Sequence, residues 1–165
     1  MLSLIYQTLR AADGRYLTRD EQQRLLDSAG GLPARFDATE QIEAKEDRVI
    51  RSVLEQMRDK YPNFEHQHDR AWAKGYRDVQ LVVRHAAQAM TFDDMSLLED
   101  RVLIWLRTIL AASNLTPAFV RETYQLLLDG FRHELTPQAF SLFEPYLSKC
   151  IQVTSDFPEP ALPAV

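Results

Sequence analysis

Scarce cysteine, scarce glycine and no excess of positive charge set the first limits on this chain. Its 165 residues hold one cysteine, Cys150, so no internal disulfide can form. That excludes a disulfide-stapled scaffold and fits a reducing compartment. Glycine occurs five times, and no Gly-rich phosphate loop is present. The formal charge is −5, where a nucleic-acid binder normally shows a basic face. Long hydrophobic runs are missing too. Met1-Leu2-Ser3-Leu4-Ile5-Tyr6 is too short, and lacks the basic lead-in, to be a signal peptide. No stretch approaches the ~20 apolar residues of a transmembrane span. The expectation is a soluble, cytoplasmic protein with no membrane insertion and no nucleic-acid partner.

What is there reads as one helical domain. Hydrophobic residues make up 45% and charged residues 26%, ordinary values for a chain long enough to bury a core. Leu2, Ile5, Tyr6 and Leu9 give a short helix that breaks at Asp13-Gly14. Thr18 and Glu21 form a capping-box pair that opens a second helix through Leu25 and Leu26, stopped at Gly30-Gly31-Leu32-Pro33. Ile42, Val49, Ile50, Val53, Leu54 and Met57 line a long helix that ends near Tyr61-Pro62, because the residue before proline avoids the α region. Residues 63–69 read as a polar connector. A helix over 71–90 follows, then one carrying Leu98, Val102, Trp105, Leu106 and Ile109. Thr116-Pro117 and Thr136-Pro137 are cap-plus-first-turn signals. They open helices with Val120, Tyr124, Leu127 and Phe131, then Phe140, Phe143, Leu147 and Ile151. Nothing reads as a strand, so periodicity gives an all-α protein. Residues 157–165, with Pro158, Pro160 and Pro163, read as an extended tail.

Catalytic and metal signals are weak. Glu65-His66-Gln67-His68-Asp69 has ligand residue types but no distant third ligand, and reads as a solvated loop. Cys150 follows the core spacing of Phe143 and Leu147 and reads as a small buried hydrophobe. No nucleophile-elbow motif appears. An enzyme is not expected, and no catalytic or metal residues are assigned.

The most informative segment is 71–90. At about 100° per residue, Trp72, Tyr76, Val79, Val83, Ala86 and Met90 form one apolar stripe. Lys74, Arg77, Arg84 and Gln88 face roughly the other way. Between them runs a flank of Ala71, Gly75, Asp78, Val82 and Ala89, mostly small, with one carboxylate. Such a flank leaves room for a neighbouring helix or a flat ligand, and Asp78 could accept a ligand's N–H bonds. Taken alone, Arg77, Asp78 and Arg84 read as a solvated face with ion pairs worth under about 1 kcal/mol.

Gly75-Tyr76-Arg77-Asp78, Arg84-His85-Ala86-Ala87-Gln88-Ala89-Met90 and Asp100-Arg101-Val102-Leu103 resemble, in order and spacing, the core of the phycobiliproteins. These are the light-harvesting subunits of cyanobacterial phycobilisomes. Thinner likeness runs through Asp13-Gly14, Tyr16-Leu17, Arg35 and Tyr146. The resemblance implies a globin-like helical bundle over 1–156, with residues 1–31 as an N-terminal helical hairpin. In that family a cysteine carries an open-chain tetrapyrrole, or bilin, by a thioether. An aspartate binds its inner nitrogens and arginines hold its propionates. The implied groove residues are therefore Arg77, Asp78 and Arg84, with Gly75 standing where the cysteine would be and no covalent bilin expected. The family's hairpin packs onto a partner subunit, which implies an interface of Leu2, Ile5, Tyr6 and Leu9, with Asp13 pairing with Arg84. Gln88 departs from the family's tyrosine.

Two functions stay open on this reading. One is a non-pigmented phycobiliprotein-like protein acting by contact in phycobilisome assembly, structure or regulation, on the thylakoid surface. The other is a non-covalent bilin carrier or helper in bilin biosynthesis or delivery. Partners would be phycobilisome or bilin-pathway proteins, in a homo- or hetero-oligomer. A haem-binding globin is a distant third, with His85 its candidate ligand; the position instead reads as a structural or surface histidine.

Overall fold

Apolar residues recur at helical spacing through most of the chain, and each such run is a helix in the structure. The structure, a computed structural model, describes residues 1–67 and 70–160, the side chains of 66 and 67 excepted. The order is α1 (Leu2–Ala11), α2 (Arg19–Gly30), α3 (Leu32–Lys60), α4 (Phe64–Gln67), α5 (Ala71–Thr91), α6 (Met95–Leu98), a π-helical turn (Glu99–Leu103), α7 (Ile104–Ala112), α8 (Pro117–Glu134) and α9 (Pro137–Thr154). No strand occurs among the described residues. Helices α3, α5, α8 and α9 pack on one another around Ile50, Met57, Val83, Leu127, Phe131 and Phe143, each essentially out of solvent. Among the described residues, no helix is long and apolar enough to cross a membrane.

The sequence signals at helix ends act as their chemistry requires. Thr116 and Thr136 accept from the N–H groups of Phe119 and Ala139 at 3.1 and 3.3 Å, with proline in each first turn. At α2 the Thr18 hydroxyl accepts from Glu21 N at 3.2 Å, and Glu21 accepts from Thr18 N at 2.7 Å. Arg15 clamps the same carboxylate at 2.8 Å from each side of its guanidinium.

The Arg15 hydrogen bonds and the cap hold Glu21 down from its ordinary 4.5 to about 2. A carboxyl depressed on folding adds stability above its unfolded value and loses it as pH falls toward the folded one. The α2 start should therefore hold at pH 5 and weaken between about pH 4.5 and 2. Amide NMR of Thr18, Glu21 and Gln22 through an acid titration checks this. A Glu21 carboxyl titrating near its ordinary value would contradict it.

Two expectations are corrected. Residues 63–69 are not wholly a connector, because 64–67 form the turn of helix α4. The cause is aromatic packing: Phe64 lies 5.1 Å from Trp72 and 4.7 Å from Phe119 between ring centroids. In the helix after α5, Leu98, Val102 and Leu106 are buried as expected, but Trp105 and Ile109 are 41% and 48% exposed. The π turn inserts a residue into the helical repeat. That rotates the following side chains by about 100° away from a continuous α reading.

The N-terminal hairpin is tied to the bundle at one turn. Asp94 accepts from Ser3 N at 2.6 Å and Ser3 Oγ at 2.9 Å, supplying the cap that α1 lacks in its own sequence. On α3, the buried Arg35 guanidinium donates to Ser28 O of α2 and reaches Asp93 at 3.2 Å. Leu2, Ile5, Tyr6 and Leu9 are exposed, as are Leu26 and Phe36, so the apolar face of the pair is not turned onto its own bundle.

Candidate functional site

The buried side of α5 is made of small and β-branched residues. Val82, Val83, Ala86 and Ala89 are fully enclosed, while Asp78 and Gly75 sit one and two turns earlier at the edge of a hollow. The hollow is a cavity of about 160 Å³ between α5, α8, α7 and the end of α3. Its walls are mainly apolar, with Leu54, Met57, Trp72, Phe119 and Val120 prominent. Tyr61, Phe64 and Phe119 pack as an aromatic cluster at that end of the bundle, with Tyr61 edge-on to Phe119 at 5.0 Å.

Asp78 is the carboxylate of this cavity. It is 43% exposed, and its nearest cation is Arg77 Nε at 3.9 Å, on a side chain that is 77% exposed. No hydrogen bond to Asp78 occurs among the described residues. Burial pushes its pKa up from the ordinary aspartate value, and Arg77 opposes that only in part. Gly75 lines the same cavity, and a Cβ there would meet Leu54 Cδ2 at 3.9 Å, an ordinary contact.

Arg77 and Arg84 do not line it. Arg84 belongs to a polar seam between α5 and α3. Its Nη2 lies 2.5 Å and its Nε 3.1 Å from Glu46 Oε1, and Gln80 donates to that same oxygen at 3.2 Å. Beside them, the Tyr76 hydroxyl donates to Asp47 at 2.7 Å, so Tyr76 leaves the apolar stripe for the seam. The expected groove set of Arg77, Asp78 and Arg84 thus separates into one cavity residue, one solvent-facing cation and one ion pair. The reason is angular. Arg84 follows Asp78 by six positions, a turn of about 240° around the helix.

The remaining candidates are placed as follows. Asp13 is exposed beyond the end of α1. His85 is half-buried with Nδ1 2.9 Å from Leu81 O of its own helix, and it does not line the cavity. Cys150 is fully buried, and burial raises its thiol pKa. The side chains of His66, Gln67, His68 and Asp69 lie outside the described residues. Among the described residues, no three His, Cys, Asp or Glu side chains gather as a metal site.

Sequence reasoning missed Tyr124. It fits the core spacing of α8 and is 4% exposed, yet it lines the cavity opposite α5. A phenol on an otherwise apolar face, with no acceptor side chain one turn away to receive its hydroxyl, is the signal that could have singled it out.

An all-α, globin-like bundle, a hairpin projecting from it and a cavity beside the first half of the fifth helix define the class of protein. The family model for phycobilisome proteins matches residues 8–153, and the chain belongs to that family. No curated protein matches the sequence. Membership places the chain among proteins of the light-harvesting phycobilisome, a family that binds bilins, normally covalently, and assembles into oligomers. The residues here fit such a pigment only in part. Asp78 offers an acceptor beside the cavity, Gly75 offers no sulfur, and Arg84 is engaged with Glu46.

Proposed function

We propose that this protein serves the phycobilisome by protein contact, in its assembly, structure or regulation, without a covalent pigment and without catalysis. The supporting observation is the N-terminal hairpin. Tyr6 and Leu9 are each 63% exposed on α1, and Leu26 and Phe36 extend the apolar surface along α2 and α3. Two short helices are marginal alone, and these keep their apolar face available while Ser3 on Asp94 and Ser28 O on Arg35 fix their base. The acceptor is another phycobilisome or bilin-pathway protein, or a second copy of this chain, at the cytoplasmic face of the thylakoid. Arg84 remains 57% exposed beside Glu46, so a partner's Asp13 can share its guanidinium.

Light scattering at tens of micromolar tests the reading. The native chain is expected as a dimer or larger, with Tyr6→Asp and Asp13→Lys each shifted toward monomer at unchanged helicity. A monomeric native chain refutes self-association. An association that both variants leave untouched refutes the hairpin as the contact.

A second reading, reversible holding of a bilin as carrier or helper, is favoured by one observation. Asp78 borders the cavity with no hydrogen bond among the described residues. Free bilin added to the protein should gain sharper, red-shifted long-wavelength absorbance, and Asp78→Ala should lose the change.

A further inference from the structure

The corner between α2 and α3 encloses a cation that the chain leaves partly unsatisfied. Arg35 is only 6% exposed. Its guanidinium lies across Gly31, where a Cβ would come within 3.1 Å of Nη2. Nη2 donates to Ser28 O, and Nη1 reaches Asp93 at 3.2 Å. The third nitrogen, Nε, has no hydrogen-bond partner among the described residues, and neither has the enclosed Ser28 hydroxyl. Buried polar groups ordinarily find partners, and an unpaired one bears the full cost of its lost hydration.

Arg35 and Ser28 both line a half-open hollow of about 460 Å³, bounded by α2, α3, the start of α6 and α9. Pockets for small molecules run to roughly 300–1,000 Å³, so the space suffices for one. Its other polar lining is Asp27, Asp93, Ser141 and Tyr146. Asp27 is exposed and receives one bond, from Gln23 Nε2 at 2.7 Å. The Ser141 hydroxyl donates to Gln138 O at 2.8 Å, which leaves its oxygen able to accept. Tyr146 is held protonated by burial and by Asp93 beside it. Met90, Met95, Leu142 and Pro145 supply the apolar wall.

Charge decides what fits. One guanidinium and two carboxylates face the same space. A simple anion would meet Asp27 and Asp93, and a simple cation would meet Arg35. A ligand with one charge of each sign matches both. The unmet needs agree: Arg35 Nε and the Ser28 hydroxyl lack an acceptor, while Asp27 at the rim lacks a cation. The methionine and leucine wall suits a hydrocarbon or thioether side chain.

We propose that this hollow binds a free α-amino acid with an apolar side chain. Its carboxylate accepts from Arg35 Nε and the Ser28 hydroxyl, and its ammonium donates to Asp27 and Asp93. Binding turns the guanidinium and the Ser28 hydroxyl toward the space that both already line, and gives each the partner it lacks. The site shares no residue with the cavity beside α5.

Because Arg35 also ties α2 to the bundle, the test varies the ligand and the rim. The full chain is titrated with L-leucine, L-leucinamide and 4-methylvalerate, following the methyl NMR signals of Met90 and Met95. Leucine should give saturable shifts at both. Leucinamide lacks the carboxylate and 4-methylvalerate the ammonium, so each should bind about tenfold more weakly or worse. Asp27→Asn should weaken leucine about fivefold and leave 4-methylvalerate unchanged. Ser28→Ala should weaken leucine by a similar factor and leave leucinamide unchanged. Those paired responses separate contact with the ligand from a general change in packing. The proposal is overturned if leucine gives no saturable shift at tens of millimolar, or if either analogue binds as tightly as leucine. It is overturned equally if Asp27→Asn weakens 4-methylvalerate as much as leucine.

Discussion

A denaturing gel of this protein, made in cells that also supply bilin and bilin lyases, should show no zinc-fluorescent band, and Gly75→Cys should create one. The thioether needs a sulfur at the cavity. The chain's single cysteine is on α9, fully enclosed, and burial keeps its thiol protonated. A buried thiol of this kind is a poor nucleophile. Position 75 is different. It borders the cavity on the helix that carries Asp78, and a Cβ there meets only Leu54 at an ordinary 3.9 Å. Replacing an interior glycine also favours the helix, by somewhat under about 1 kcal/mol. The variant should fold as the native chain does and present its sulfur to the cavity. A band in the native lane would place pigment on Cys150 and overturn the absence of covalent attachment.

Phe131→Ala should lower the free energy of unfolding by about 3–5 kcal/mol. That is a large share of the roughly 5–15 kcal/mol that holds a domain of this kind together. Phe131 is fully buried on α8 and meets Phe143 of α9 edge to face, with ring centroids 5.3 Å apart at 89°. Truncation removes the ring, its edge-to-face contact worth about 0.5–1.5 kcal/mol, and leaves a void between α8 and α9. Urea denaturation followed by far-UV circular dichroism measures the loss. Phe36→Ala, on the 53% exposed Phe36, provides the contrast and should stay within about 0.5 kcal/mol of the native value. A loss near that smaller figure for Phe131→Ala would show that α8 and α9 do not pack as described.

Much of the fold was legible along the chain because helix signals are local. Thr18 with Glu21, Thr116 before Pro117 and Thr136 before Pro137 each satisfy orphan N–H groups within three residues, and all three caps form. The core face of α8 likewise follows from spacing alone. The family motif was legible too, since it is an ordered set of residue types over residues 75–103.

Other features depended on which helices meet. Gly130 in the middle of α8 looks like a weak point for a helix, yet a Cβ there would come within 2.8 Å of Val49 Cγ1, so the glycine is what lets α3 approach. Glu46 takes Arg84 from 38 residues away, and no local pattern ties those two positions together. The π turn at Glu99–Leu103 rotates Trp105 and Ile109 outward.

Sequence by itself determined the all-α class and the helix ends, because each is carried by residues within a turn or two of one another. Only the tertiary structure decided that Arg84 serves α3 instead of the cavity and that Tyr124 lines it. Partner identity and cavity volume are set by the distance and angle between helices, and those arise from packing across the whole bundle.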